Sequence, residues 1–255
     1  GDWQGSGTMR QATTVSMSAD STIDASATDN GNGGKVVLWT DTKLMDSVTS
    51  VHGTIVSKGG RAGGGGGRVE TSASALNTDG ILVDTRAADG TAGEWLLDPW
   101  NLVIGATGAN QIANNLLTSN VTISTVAKPG NVTFDAEGTC STCGDLVLNA
   151  PITYTGADYR RLTLQAHSYI NVSGNITSTN GKLDAIIWSN YTNVGGLGVG
   201  GYTWLAPGIT ISTRGGLIVL AGGNDDGSNG GVANDGIPDG FAWNNKSAMG
   251  GVQLG

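Results

Sequence analysis

Residues 53–70 read GTIVSKGGRAGGGGGRVE: a short apolar stretch at 53–56, a polar glycine-rich turn at 59–67, and a second apolar stretch opening at Arg68-Val69-Glu70. The same cassette precedes and follows it. Ile23 to Ser26 leads through Gly31, Gly33 and Gly34 to Lys35-Val36-Val37-Leu38-Trp39, and Ile81-Leu82-Val83-Asp84 leads through Gly90 and Gly93 to Glu94-Trp95-Leu96-Leu97. Val36, Val69 and Trp95 occupy equivalent positions at unequal intervals of roughly 25 to 35 residues, the period of stacked structural coils. The repetition predicts a solenoid.

Composition fits a chain that folds into such a stack. Glycine supplies 43 of 255 residues, far above the usual ~7%, yet glycine and proline together stay below the ~25–30% of low-complexity chains. Charged residues make up only 13%, about half the ordinary share, and Ser, Thr and Asn carry the polarity instead. Neutral polar side chains stack in register without the repulsion that like charges suffer. The net charge of −8, with 13 scattered basic residues, argues against a phosphate-backbone partner, so no nucleic acid is expected. No stretch approaches the ~18 apolar residues of a membrane-spanning helix, and no signal peptide is present. The segment reads as an excerpt of a longer chain, with targeting signals outside it.

Helical periodicity is sparse. One short helix is expected at 109–118, capped by Asn110. Period-two alternation marks strands at 121–123, 132–134, 146–148, 162–164, 170–172, 209–211 and 217–219. The competing architecture is an antiparallel sandwich, with hairpin signals at Asn30-Gly31, Asp79-Gly80, Asp89-Gly90, Asn180-Gly181 and Asp235-Gly236. The repeated cassette and the length favour an all-β right-handed parallel β-helix of short strands with Gly/Asn/Asp-rich turns. Two parts are expected: coils carrying the cassette over 1–100, and a continuing solenoid with decorated loops over 101–255. The change of texture falls at Leu97-Asp98-Pro99.

The succession Gly1-Asp2-Trp3-Gln4-Gly5, Ile23-Asp24-Ala25-Ser26-Ala27, Gly33-Gly34-Lys35-Val36-Val37-Leu38-Trp39, Gly59-Gly60, Val69-Glu70-Thr71-Ser72 and Trp95-Leu96-Leu97-Asp98-Pro99 resembles large exoproteins of the filamentous haemagglutinin type. The likeness is close over residues 1 to about 100 and one of texture beyond. It implies a parallel β-helix secreted by a Gram-negative bacterium through an outer-membrane two-partner transporter. At the cell surface such a segment would be part of an adhesin shaft that presents binding surfaces to glycans or proteins of host or neighbouring cells, in attachment or biofilm formation. The family's amino-terminal secretion domain is not recognisable here. The expectation is a non-enzymatic protein requiring no cofactor. The alternatives are a self-associating structural filament and a β-helical polysaccharide-degrading enzyme.

The candidate site is the acidic loop at 222–240, where Asp225, Asp226, Asp235 and Asp239 on glycine-bent backbone offer oxygen ligands for calcium. Its spacing is neither an EF-hand nor an Asp-containing nonapeptide, and the alternative is a solvated loop of Asx turns. Cys140 and Cys143 form a lone CxxC. In an exported protein that reads as a local disulfide, with free thiols or metal and redox chemistry as alternatives. Asp158, Arg160, Arg161, Lys182 and Asp184 are the one local concentration of charge for an enzymatic reading; a solvated face is the plainer explanation. The GxGxxG at 196–201 precedes no helix and is attributed to chance in a glycine-rich chain. Most of the tryptophans at 3, 39, 95, 100, 188, 204 and 243 are expected to fill the core or cover coil edges more than to stack on sugars. Six Asn-x-Ser/Thr sequons, at Asn120, Asn131, Asn171, Asn175, Asn190 and Asn245, are candidate modification sites.

Overall fold

The computed structural model describes residues 2–42, 44–126, 144–191, 201–240, 242 and 251–255. It is built mostly of short parallel β-strands, and the residues group into two compact units, Gly1–Pro99 with Asn110–Thr122, and Trp100–Ala109 with Ile123–Gly255.

In the first unit the cassette becomes three strands per repeat. The strands are β1 (Thr14–Met17), β2 (Thr22–Asp24), β3 (Lys35–Trp39), β4 (Val48–Val51), β5 (Thr54–Val56), β6 (Arg68–Ser72), β7 (Ala75–Asn77), β8 (Leu82–Asp84) and β9 (Glu94–Asp98). Every third strand pairs, giving three parallel sheets in the orders β1-β4-β7, β2-β5-β8 and β3-β6-β9. The register is the one the sequence repeat calls for: Val36 faces Val69 and Val69 faces Trp95, while Ile23 faces Ile55 and Ile55 faces Val83. Ile55, Val69, Val83 and Trp95 are inaccessible, and the Trp95 indole N–H donates to Thr71 Oγ1 at 3.1 Å. Repeated glycines precede the third sheet. The N–H groups of Gly34, Gly67 and Gly93 donate to the carbonyls of Ala25, Ser57 and Thr85, at 2.8 Å each, so successive turns are laid down in the same way.

The expected helix forms as α1 (Ala106–Asn115), three residues earlier than its alternation suggested. Its first turn is closed by Ala109 N–H on the Gly105 carbonyl, which places Asn110 inside the helix and not at its cap. The side chain with structural work is Asn115. Its Oδ1 accepts Val83 N–H at 2.7 Å and its Nδ2 donates to the Ile81 carbonyl at 3.1 Å, so one buried amide bonds a backbone donor and a backbone acceptor along the side of β8 away from β5. Thr118 and Ser119 hydroxyls add bonds to the Val83 carbonyl before β11 (Asn120–Ser124), and β11 opens with Asn120 N–H on the Gly93 carbonyl. An open strand edge exposes unpaired donors and acceptors, and this segment covers one.

The second unit repeats the plan. Strand β10 (Leu102–Ile104) is followed by β12 (Leu146–Leu148), β13 (Ile152–Tyr154), β14 (Arg160–Gln165), β15 (Ile170–Val172), β16 (Ile176–Ser178), β17 (Leu183–Ser189), β18 (Thr203–Leu205), β19 (Ile211–Ser212), β20 (Ile218–Gly222) and β21 (Val252–Leu254). These make parallel sheets β10-β12-β15-β18-β21 and β13-β16-β19, with β14-β17-β20 in register. Leu146, Leu148, Ile152, Leu162, Leu164, Ile170, Val172 and Ile176 are inaccessible. Every strand pair described here is parallel and antiparallel contacts are confined to isolated bridges, so the Asn-Gly and Asp-Gly steps do not make hairpins in the described residues. The strand expected at 132–134 lies outside the described residues. No helix among the described residues is long and apolar enough to cross a membrane.

Candidate functional site

Alternation along β3, β6 and β9 turns one set of side chains away from the core, in three rows: Lys35, Arg68 and Glu94; Val37, Glu70 and Leu96; Trp39, Ser72 and Asp98. The 3₁₀ turn Trp3–Gly5 covers these rows residue by residue. The Trp3 ring lies 5.7 Å from Lys35 Nζ and 5.6 Å from Arg68 Cζ, a cation–π arrangement for two cations that are register neighbours. Gln4 N–H donates to Glu70 Oε2 at 2.7 Å, across 66 residues of sequence. Gly5 abuts the Trp39 ring so closely that a Cβ there would stand 2.9 Å from two ring carbons.

This roof leaves Glu70 inaccessible, with Ser72 Oγ donating to its other oxygen at 2.9 Å. In the next row the Trp39 indole N–H and Asp98 Oδ1 are both buried and have no hydrogen-bond partner among the described residues. The electrostatic result is a split pair. Burial pushes the Asp98 carboxyl up to about 8, and the nearby Glu70 charge adds to the rise. Burial also raises Glu70, opposed by the bonds from Gln4 and Ser72 and by the Lys35 charge. At neutral pH Asp98 carries the proton, and Glu70, which accepts two donors and lies near Lys35, is the better placed of the two to hold a charge. Such a pair can hold and release a proton, but in this closed arrangement it meets no substrate.

Beside the roofed rows, an open cleft of about 680 Å³ is lined by Asn32, Lys35, Arg68, Asp89, Thr91 and a run of glycines. A second groove of about 440 Å³ holds Lys58, Arg61 and Arg86, which are ion-paired to Asp84 and Asp29. No protein-family model matches the chain, and no curated protein matches it. The functional reading therefore rests on the residues.

The acidic loop is organised by its own backbone. Asp225 accepts the N–H groups of Asp235 and Gly236, Asp226 accepts Ser228 N–H, Asp235 accepts Ile237 N–H, and Asp239 accepts Gly227 N–H. Two of these are Asx turns, at Asp226–Ser228 and Asp235–Ile237, and the bonds of Asp225 and Asp239 reach 10 to 12 residues across the loop; no group of three acidic, His or Cys side chains placed to hold a metal occurs among the described residues. An isolated Gly222–Gly240 bridge closes the loop, Trp188 Nε1 donates to the Gly223 carbonyl, and Arg161 reaches the Asp235 carbonyl.

The charge concentration at 158–184 does gather in space. Arg160 pairs with Asp158 at 3.0 Å, Arg161 approaches Asp184 at 3.6 Å, Tyr159 Oη donates to Asp184, and Lys182 lies 5.6 Å from the Tyr159 ring centroid. Leu217 N–H also donates to Asp184 Oδ1, and Arg160 and Asp184 are both buried. Asp158, Arg160, Arg161 and Asp184 are paired within the network, and Lys182 is exposed. Cys140 and Cys143, the GxGxxG up to Gly200, Trp243, Asn131 and Asn245 lie outside the described residues. Of the remaining sequons, Asn190 is buried, Asn120 donates to the Ala92 carbonyl and Asn175 accepts Thr210 N–H. Trp95 fills the core, while Trp39 and Trp188 are buried outside it, Trp39 on the outer row beneath Gly5 and Trp188 against the Gly223 carbonyl; Trp3 is partly exposed on the outer face.

Sequence reasoning missed the Glu70–Asp98 pair. Strand alternation was enough to turn Glu70 and Ser72 outward together, but it carries no sign that residues 3–5 would fold back to bury them.

Proposed function

We propose that this chain is a right-handed parallel β-helix serving as a shaft segment of a secreted, cell-surface exoprotein of the filamentous haemagglutinin type. In this role it extends and presents binding surfaces for attachment or biofilm formation on a Gram-negative bacterium. The observation that carries the reading is the triple parallel register: three strands per repeat, each paired with its counterpart in the next repeat. A stack of that kind adds length with every repeat at little topological cost. The low charge and the Ser/Thr/Asn-rich strands support it, as does the internal pairing of the charge cluster at 158–184. Partners would be surface glycans or proteins of other cells, with an outer-membrane transporter engaged during secretion. In-frame removal of this segment from the secreted parent tests the role. Loss or shortening of attachment to epithelial or neighbouring bacterial cells is expected; unchanged attachment and biofilm mass would defeat it.

A structural filament is the second reading. Among the described residues β19, β20 and β21 are the last strands of their sheets, and Ile218, the register partner of the inaccessible Ala185, is 48% exposed. An apolar side chain left exposed on a strand row in this way favours association with another copy. Sedimentation velocity at rising concentration discriminates: open-ended growth supports the filament, and a constant monomer supports the separate shaft.

A further inference from the structure

The roof over the Glu70–Asp98 pair is small and weakly tethered. It is a three-residue 3₁₀ turn, and residues 6–10, which follow it, are exposed and without strand or helix. It is held by one backbone bond to a carboxylate, by the Trp3 ring near two like-charged side chains, and by packing of Gly5 on Trp39. Beneath it, an acceptor and a donor, Asp98 Oδ1 and Trp39 Nε1, are buried without partners, a costly arrangement that hydration would relieve. The charged groups facing the turn are Lys35 from β3, Arg68 and Glu70 from β6, Glu94 and Asp98 from β9, and Asp2 from the segment itself. Of these, Glu94 accepts the Thr122 hydroxyl at 2.6 Å and Asp2 accepts Met9 N–H at 3.3 Å.

We infer that Trp3–Gly5 is a proton-controlled strap, seated while the Glu70–Asp98 pair holds a proton and lifted when both carboxyls ionise, which frees the Lys35–Arg68 wall of the adjoining cleft. With one charge, the pair is matched by the Gln4 N–H, the Ser72 hydroxyl and the nearby Lys35. A second charge in the same dry space has only the unused Trp39 indole N–H to meet it, and lifting the strap admits water to both. The sign follows from where the protons sit. Burial raises both carboxyls, so the seated form binds more protons than the lifted form. Seating is therefore complete at acidic pH and is lost as pH rises toward about 8. One proton of difference changes the seated-to-lifted ratio by at most about tenfold per pH unit.

Fluorine NMR of the full chain labelled with 5-fluorotryptophan reads the strap directly, with the Trp3 resonance assigned by its loss in Trp3→Phe. Between pH 5 and 9.5 that resonance should move from its seated position toward that of free tryptophan, while far-UV circular dichroism stays constant. Asp98→Asn, which mimics the protonated carboxyl, should keep it seated to within about twofold across the range. Glu70→Gln should do the same, so the expectation survives if one variant fails to fold. A Trp3 resonance that is independent of pH in the wild-type chain, or that moves equally in the two neutral variants, overturns the strap.

Discussion

Gly67→Ala is the sharpest test of the stacked turns. Gly67 lies at the entry to β6, with its N–H on the Ser57 carbonyl at 2.8 Å, while the next N–H, of Arg68, bonds the Gly34 carbonyl at 3.0 Å. A Cβ at Gly67 would stand 2.1 Å from Ser57 Oγ and 2.2 Å from the Gly34 carbonyl oxygen. Carbon and oxygen approach comfortably only to about 3.3 Å, so the two repeats must part by about 1 Å. Overpacking of this kind costs about 1–3 kcal/mol. Weakening the two backbone hydrogen bonds adds about 1 kcal/mol each. A loss of about 3–5 kcal/mol in the first unit should lower its Tm by roughly 12–20 °C. The comparison is Gly108→Ala inside α1, where a Cβ meets only Ile104 Cγ2 at an ordinary 3.5 Å, and stability should hold or rise by about 0.5–1 kcal/mol. Urea unfolding followed by circular dichroism measures both. Adding Ser57→Ala to Gly67→Ala should recover only part of the loss, because the Gly34 carbonyl remains in the way. A Gly67→Ala protein within about 0.5 kcal/mol of wild type would refute the close stacking of these turns.

Other expectations follow from single groups. Asn115→Ala strips β8 of its amide and leaves Val83 N–H buried without that partner, at a cost of about 2–3 kcal/mol by chemical denaturation; Asn115→Asp, which keeps the acceptor and loses the donor, should restore only part. Trp95→Ala empties the core of the third sheet and should cost about 3–5 kcal/mol, with Trp95→Phe clearly milder. Asp145 is pushed up to about 7 by burial, against hydrogen bonds from Ser168 and Tyr169. Its contribution to stability is full below about pH 4 and lost as pH rises through 7, by about 2–4 kcal/mol in all. Asp145→Asn should flatten that part of the stability–pH curve, and an unchanged slope would contradict the assignment.

The sequence announced the second and third sheets of the first unit because their strands are apolar and flanked by glycine. The set β1, β4 and β7 stayed hidden. Its strands read TVSM, VTSV and ALN, and the buried positions include Thr49, whose hydroxyl bonds the Ser72 carbonyl at 2.9 Å. A core position filled by a satisfied threonine breaks the hydrophobic pattern that marks a strand. The helix was visible in its leucines and isoleucine, but the role of Asn115 was not, since an amide mimicking a strand edge has no sequence period. Of the candidate calcium carboxylates, Asp226 and Asp235 were legible as turn formers through Asx-turn chemistry, whereas the bonds of Asp225 and Asp239 reach 10 to 12 residues along the chain and carry no local signal. The Glu70–Asp98 pair depends on a contact 66 residues away in sequence, which local patterns do not encode.

Immunogold electron microscopy of the native cell surface, with an antibody raised against this chain, addresses the shaft role most directly. A shaft segment predicts gold at a fixed distance along separate thin rods, each anchored at one end. Label confined to the cell interior, or repeating along continuous uniform fibres, would contradict it.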